Sequence, residues 1–131
     1  MDTDWAVHLL RGGPPEVVEQ VRCRQPQGIA VSVVTAAELY VGVARARDPQ
    51  AAEEAVQRLL TAFPVLAFEA SFAPVFGRVQ GGLRQQGIEI GDFDAAIAAT
   101  CLSHDLTLLT NNLRHFRHVQ GLKVVSAAET T

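Results

Sequence analysis

The sequence predicts an α/β fold, a mostly parallel sheet of four to five strands flanked by helices on both faces. Three observations carry this prediction. Short β-branched apolar runs recur along the chain without the alternation of a half-exposed strand, as buried parallel strands do. Longer segments between them place apolar residues at helical spacing. Neither an internal repeat nor a Ser/Gly-rich linker divides the 131 residues, so a single domain over 1–131 is expected.

Asp4 to Leu10, with Trp5, Val7, Leu9 and Leu10, has the pattern of a helix. Because acidic residues arrive at position 2, the strand that such folds place first is expected to be truncated. Pro14 and Pro15 open a helix at Glu16 that runs to about Arg24. Ile29-Ala-Val-Ser-Val-Val34 is expected as a buried strand, followed by a helix from near Thr35 to about Ala46. Asp48-Pro49 supplies an N-cap and a first-turn proline for a helix over Gln50 to Ala62. Val65-Leu-Ala-Phe68 is the next strand. A helix over Glu69 to Gln86 follows, with Pro74 near its start or kinking it. After a turn at Gly91 a helix covers Asp94 to His104, with Asp92 as its natural cap. Leu106 to Thr110 and Leu122 to Val125 complete the strands.

Composition narrows the function classes. A chain 48% apolar with a formal net charge of −3 buries enough surface to fold. Its longest apolar stretch, Gly28 to Ala44, is interrupted by Glu38, and the acidic start lacks the basic lead of a signal peptide, so no membrane partner is expected. Cys23 and Cys101 have no metal spacing and read as reduced, buried thiols of a cytoplasmic protein. With 14 acids against 11 Lys and Arg, the chain does not grip nucleic acid by bulk positive charge, though an enzyme can reach it through bound cations.

In open α/β sheets ligands bind beyond the carboxyl ends of the strands, which singles out polar residues where strands lead into helices. Asp2, Glu38, Asp94 and the pair Asn111 and Asn112 occupy such junctions. Each has an ordinary alternative. Glu38 lies among Val34, Val41 and Gly42 at helical spacing and either serves a site or reaches Arg45. Asp94 shares a face with Ile97, Ala98 and Cys101, and a first-turn acid also stabilises a helix dipole by roughly 0.3–1 kcal/mol. Taken together, such carboxylates repel one another unless they share protons or cations, and oxygen-only donors suit Mg²⁺ or Mn²⁺. Ions of this kind bridge a phosphodiester, generate hydroxide from bound water and stabilise the leaving oxygen. No G-x-S-x-G, P-loop or G-x-G-x-x-G competes with this reading.

The stretches Asp2-Thr3-Asp4, Thr35-Ala-Ala-Glu-Leu39, Ile90-Gly-Asp-Phe-Asp-Ala-Ala-Ile-Ala-Ala99 and Leu108-Leu-Thr-Asn-Asn-Leu-Arg-His-Phe116 resemble the motifs of PIN-domain proteins. The likeness is to the VapC-type toxins of bacterial toxin–antitoxin pairs. It covers nearly the whole chain in order, including the closing Val119-Gln-Gly-Leu-Lys-Val-Val125. It implies a three-layer PIN-like fold and a Mg²⁺- or Mn²⁺-dependent endoribonuclease in which metal-bound water attacks RNA. It also implies a homodimer and a VapB-like antitoxin whose basic tail places Arg among the acids. Carried over residue by residue, Asp2, Glu38 and Asp94 are the core acids, and the fourth position falls on Asn112, which supplies an oxygen without charge. Thr110 and Asn111 match residues that order this corner by hydrogen bonds. Asp92 reads as a cap before it reads as a ligand.

The histidines His104, His115 and His118 have no ligand spacing with the acids, and His115 reads as surface although relatives often carry an acid there. Arg11, Arg45, Arg47, Arg114 and Arg117 are candidate phosphate contacts. Trp5 and Tyr40 are too few for a base-stacking platform. The weakly charged helices Val33–Ala44 and Asp94–Leu102 are expected to leave apolar surface for self-association. A catalytically idle PIN-like module that binds a protein or RNA is the competing reading, for which Asn112 and the short beginning leave room. A phosphoacceptor receiver domain would need a late lysine, and the only one, Lys123, lies inside a strand pattern.

Overall fold

The computed structural model describes residues 1–127. Its order is α1 (Thr3–Leu10), α2 (Pro15–Arg24), β1 (Val31–Ser32), α3 (Val33–Ala44), α4 (Pro49–Ala62), β2 (Val65–Leu66), α5 (Ala73–Gln85), α6 (Asp92–Ser103), β3 (Leu108–Leu109), α7 (Leu113–Phe116) and β4 (Val124–Val125). Two compact units divide the chain, Met1–Leu66 and the residues from Ala67 onward.

In the N-terminal unit β1 and β2 run parallel, with Val31 opposite Val65 and Ser32 opposite Leu66. Pairing extends backward through the Val31 N–H, which donates to Pro64 O at 3.0 Å. The Met1 amino group donates to Ala30 O at 2.9 Å, so the chain begins alongside the approach to β1. Helix α1 packs on α2, α3 and α4 and buries Trp5 and Ala6 completely. Val17 and Val21, one turn apart on α2, are its buried stripe.

In the C-terminal unit β3 and β4 are also parallel, with Leu108 opposite Val124 and Leu109 opposite Val125. Leu108 N–H donates to Lys123 O and Thr110 N–H to Val125 O, at 2.8 and 3.0 Å. Helix α5 packs against α6. Every residue of α6 from Ala95 to Cys101 is buried, which removes the expectation that this helix offers a self-association surface. A run of small side chains permits close approach on all sides, and the helix is consumed by its own core. Helix α3 differs, since Val33, Tyr40 and Val41 remain exposed along it.

The α/β class and the positions of the six longer helices follow the sequence, but the short α7 was not expected and the strands are shorter than expected. The run 29–34 contributes only Val31–Ser32 to a ladder because the Ser32 hydroxyl accepts the Thr35 N–H at 3.1 Å and caps α3. Val33 and Val34 therefore open a helix, which starts two residues before Thr35. The helix expected from Glu69 starts at Ala73, after a 3₁₀ turn over Ala70–Phe72, with Pro74 in its first turn where no N–H is needed. At α6 the cap is Gly91 and Asp92 is the first helical residue, so the expected cap role of Asp92 is not realised.

Cys101 is buried as expected, whereas Cys23 is exposed. Two residues past Val21, Cys23 lies about 200° around α2 from it. Its Sγ donates to Glu19 Oε1 at 3.4 Å. Arg22 also binds Glu19 and holds that carboxyl below its usual range, but the pair stands in full solvent and stabilises the fold little.

The Asp48 cap is realised: its Oδ1 accepts the Ala51 N–H at 3.1 Å ahead of Pro49. Asp48→Ala is expected to lower the unfolding free energy by about 1 kcal/mol in urea titration, and Asp48→Ser to restore most of it.

Candidate functional site

Asp2 is buried and takes an extended backbone that ends in α1. Its Oδ1 accepts the Trp5 N–H at 3.0 Å, and its carbonyl accepts the Ala6 N–H at 3.2 Å. An acid is favoured at this place because the first N–H groups of a helix have no internal acceptor. The next residue reaches across to α3, where the Thr3 hydroxyl donates to Glu38 Oε1 at 2.7 Å. A second hydroxyl, on fully buried Thr35, lies 3.1 Å from Thr3 Oγ1. A hydroxyl has one proton, and that of Thr3 goes to Glu38, so Thr35 is the donor to Thr3.

The sequence left open whether Glu38 reaches Arg45. It does not: Arg45 follows the last turn of α3, about 10 Å of helix rise away, and the partner is the neutral hydroxyl of Thr3. The structure thus ties half-buried Glu38 to the residue beside Asp2. Thr35 belongs to this group, and its identity is legible only as a polar residue one turn ahead of Glu38 on a helix with few polar residues.

In the C-terminal unit Asp94 occupies the first turn of α6 and is half-buried. The turn leading into it is held by Gln80, a buried side chain of α5. Gln80 Nε2 donates to Asp92 Oδ1 at 3.0 Å and to Ile90 O at 3.3 Å. Nothing in the sequence reading singled out Gln80. The available signal was a glutamine beside Val79 and Leu83 on the face of α5 that becomes buried.

The corner after β3 is built from amides and a hydroxyl. Thr110, fully buried, accepts the Asn112 N–H on Oγ1 at 2.9 Å, and Asn111 Oδ1 accepts the Ala127 N–H at 2.9 Å. These are the ordering roles expected of Thr110 and Asn111. Asn112 begins α7, and its Nδ2 lies 3.3 Å from His115 Nδ1. His115 is therefore half-buried and engaged rather than a plain surface residue. His104 packs edge-on against Phe72, with ring centroids 5.3 Å apart.

Among the described residues no three His, Cys, Asp or Glu side chains form a cluster able to hold a metal ion by themselves. The candidate donors are carboxylates on Asp2 and Glu38 in one unit, and Asp94 with the amide of Asn112 in the other. All of them offer oxygen, a donor set matched to hard divalent cations and not to zinc or copper. Arg11, Arg45, Arg47, Arg114 and Arg117 are all exposed, and the ion pairs among the described residues, Arg22–Glu19 and Lys123–Asp105, include none of them. No helix among the described residues is long and apolar enough to cross a membrane.

Residues 1–122 match the PIN domain family. Ribonuclease VapC2 of Haemophilus influenzae is 32% identical over 124 residues, covering 94% of this chain and 92% of that protein. The tRNA(fMet)-specific endonuclease VapC of Shigella flexneri is 29% identical over 123 residues, with 94% and 92% covered. Among solved structures, VapBC-1 of nontypeable Haemophilus influenzae superimposes with a TM-score of 0.87 at 26% identity, covering 98% of this chain and 96% of that one. FitAcB of Neisseria gonorrhoeae gives 0.88 at 26% identity, with 98% and 97% covered. With a PIN match running from Asp2 through Asn112 and relatives aligned along nearly their full length, this chain belongs to the PIN-domain family.

Proposed function

We propose that this chain is a divalent-metal-dependent endoribonuclease and the toxin of a VapBC-type pair. The observation that carries the reading is the Thr3–Glu38 hydrogen bond, which orients one acid of the family's motif from the residue adjoining another, without a cation to neutralise it. The family match and the VapC relatives support the substrate class. The proposal includes a three-layer PIN-like architecture with one central sheet of four to five strands in a single domain.

In this reading Asp2, Glu38, Asp94 and Asn112 hold Mg²⁺ or Mn²⁺, and Asp92 stays with Gln80. A divalent ion held there would supply Lewis acidity toward the phosphodiester and would make water a stronger acid. Thr3 and Thr35 keep the Glu38 carboxylate in one orientation. Gln80 fixes the turn from which Asp94 projects. Asn112 adds oxygen without charge, so the site carries fewer negative charges than one with four carboxylates. The exposed arginines meet RNA phosphates, which position the strand without reading its sequence.

The partner in this reading is a VapB-like antitoxin in the cytoplasm, and the exposed Val33, Tyr40 and Val41 of α3 suit a homodimer. Transfer RNA is the first substrate to test, because a relative is named for it.

Asp94→Asn and Glu38→Gln are each expected to reduce cleavage of a tRNA pool by about 100-fold or more and to relieve growth arrest, with circular dichroism unchanged. Calorimetry with Mn²⁺ separates this reading from the idle module. Binding that weakens in Asp94→Asn supports the enzyme, and no binding by the native protein supports the module. Thr3→Val is expected to cost about 1–2 kcal/mol of unfolding free energy, because it strands the Thr35 hydroxyl, and to weaken Mn²⁺ by about 10-fold. Thr3→Ser should retain both, as read by thermal melts and calorimetry.

A further inference from the structure

Asn112 differs from the other proposed ligands in a way that creates a problem of orientation. A carboxylate presents oxygen at either end, whereas an amide presents oxygen at one end and a donor NH₂ at the other. Rotation of the terminal group by about 180° exchanges them, and such sp³–sp² torsions are broad and roughly two-fold. With NH₂ turned inward, Asn112 repels a cation.

The backbone of Asn112 is fixed from both sides. Its N–H donates to Thr110 Oγ1 at 2.9 Å, and its carbonyl accepts the Phe116 N–H at 3.2 Å. Those bonds place the residue but do not orient its amide. The side-chain partner is His115, whose Nδ1 lies 3.3 Å from Nδ2. A neutral ring with its proton on Nε2 offers Nδ1 as an acceptor, and the amide then donates through Nδ2.

We infer that His115 is a positioning residue for Asn112, taking the amide nitrogen and thereby committing Oδ1 to a divalent cation. This rests on the reading of Asn112 as a ligand. It assigns His115 a task that a carboxylate ligand at position 112 would not require. His115 sits three residues along the same short turn, so its ring reaches the Asn112 side chain and needs no bond to the cation.

The experiment is Mn²⁺ calorimetry on the full chain without RNA, with a thermal melt of every variant. His115→Leu keeps bulk and removes the acceptor, and is expected to weaken Mn²⁺ by about 10-fold. His115→Gln, whose Oε1 can accept from Nδ2, is expected to recover most of that loss. In an Asn112→Asp background both ends of the side chain are oxygen, so His115→Leu should no longer weaken Mn²⁺. Equal losses in the two backgrounds would overturn the inference and assign His115 a purely structural part. If Asn112→Ala weakens Mn²⁺ and His115→Leu does not, the role of His115 falls while the ligand reading stands. If Asn112→Ala leaves Mn²⁺ binding unchanged, the ligand reading fails and the inference fails with it.

Discussion

Seven consecutive residues of α6, Ala95 to Cys101, are buried, and this burial constrains the whole C-terminal unit. A helix buried on every side has no solvated face on which to carry charge, so its two acids stand in its first turn, while buried Thr100 returns its hydroxyl to Ala96 O. At its beginning the first N–H groups lack internal acceptors and the peptide dipoles favour negative charge. Asp92 and Asp94 stand there, and the buried amide of Gln80 fixes the turn that delivers them. The small residues that let α6 be buried thus also restrict its acids to its first turn. Helix α3 carries the same logic in a looser form, with Glu38 between buried Leu39 and the exposed face that bears Val41.

The groups that orient Glu38 and Asp92 are neutral. Hydroxyls serve Glu38 and an amide serves Asp92. An arginine in the place of Thr3 would hold Glu38 more strongly, since charge-assisted bonds are roughly twice as strong as neutral ones. It would also cancel the charge that a divalent ion requires. A donor without charge fixes the geometry of a carboxylate and leaves its electrostatic attraction for a cation largely intact. This distinguishes Glu38 from Glu19, which Arg22 already occupies.

Much of this was legible in the sequence, and the remainder fails for identifiable physical reasons. Local rules located the helix starts: Asp48-Pro49 and Pro14-Pro15 act within a few residues of chain, and α4 and α2 begin there. Position at a strand-to-helix junction selected Asp2, Glu38, Asp94 and Asn112 without knowledge of their partners. Strand ends were not legible, because Val33 and Val34 have strand propensity and only the Ser32 cap converts them to helix. The partners were the least legible. Thr3 with Glu38 spans 35 positions and Gln80 with Asp92 spans 12, so no periodicity links them. His115 has no ligand spacing to the acids, and its contact is instead to Asn112, within the same turn.

A formal net charge of −3 averages groups in different settings: Glu19 and Asp105 sit in exposed ion pairs with Arg22 and Lys123, whereas Glu38 is held by a neutral hydroxyl. Glu38 and Asp92 are oriented by neutral donors, and Asp2 is buried outright. The five arginines at 11, 45, 47, 114 and 117 are exposed, and neither the Arg22–Glu19 nor the Lys123–Asp105 pair includes them. Pairing the two sets would have stabilised little, since exposed ion pairs contribute about 0–1 kcal/mol. On the proposed reading it would also have consumed charge that a cation and a phosphate need. On the proposed reading, a carboxylate held by a neutral donor keeps its charge for a divalent ion, as Glu38 does, and an exposed guanidinium keeps its charge for a phosphate backbone. Net charge therefore carries no information about affinity for RNA here. The partner chosen for each charge does.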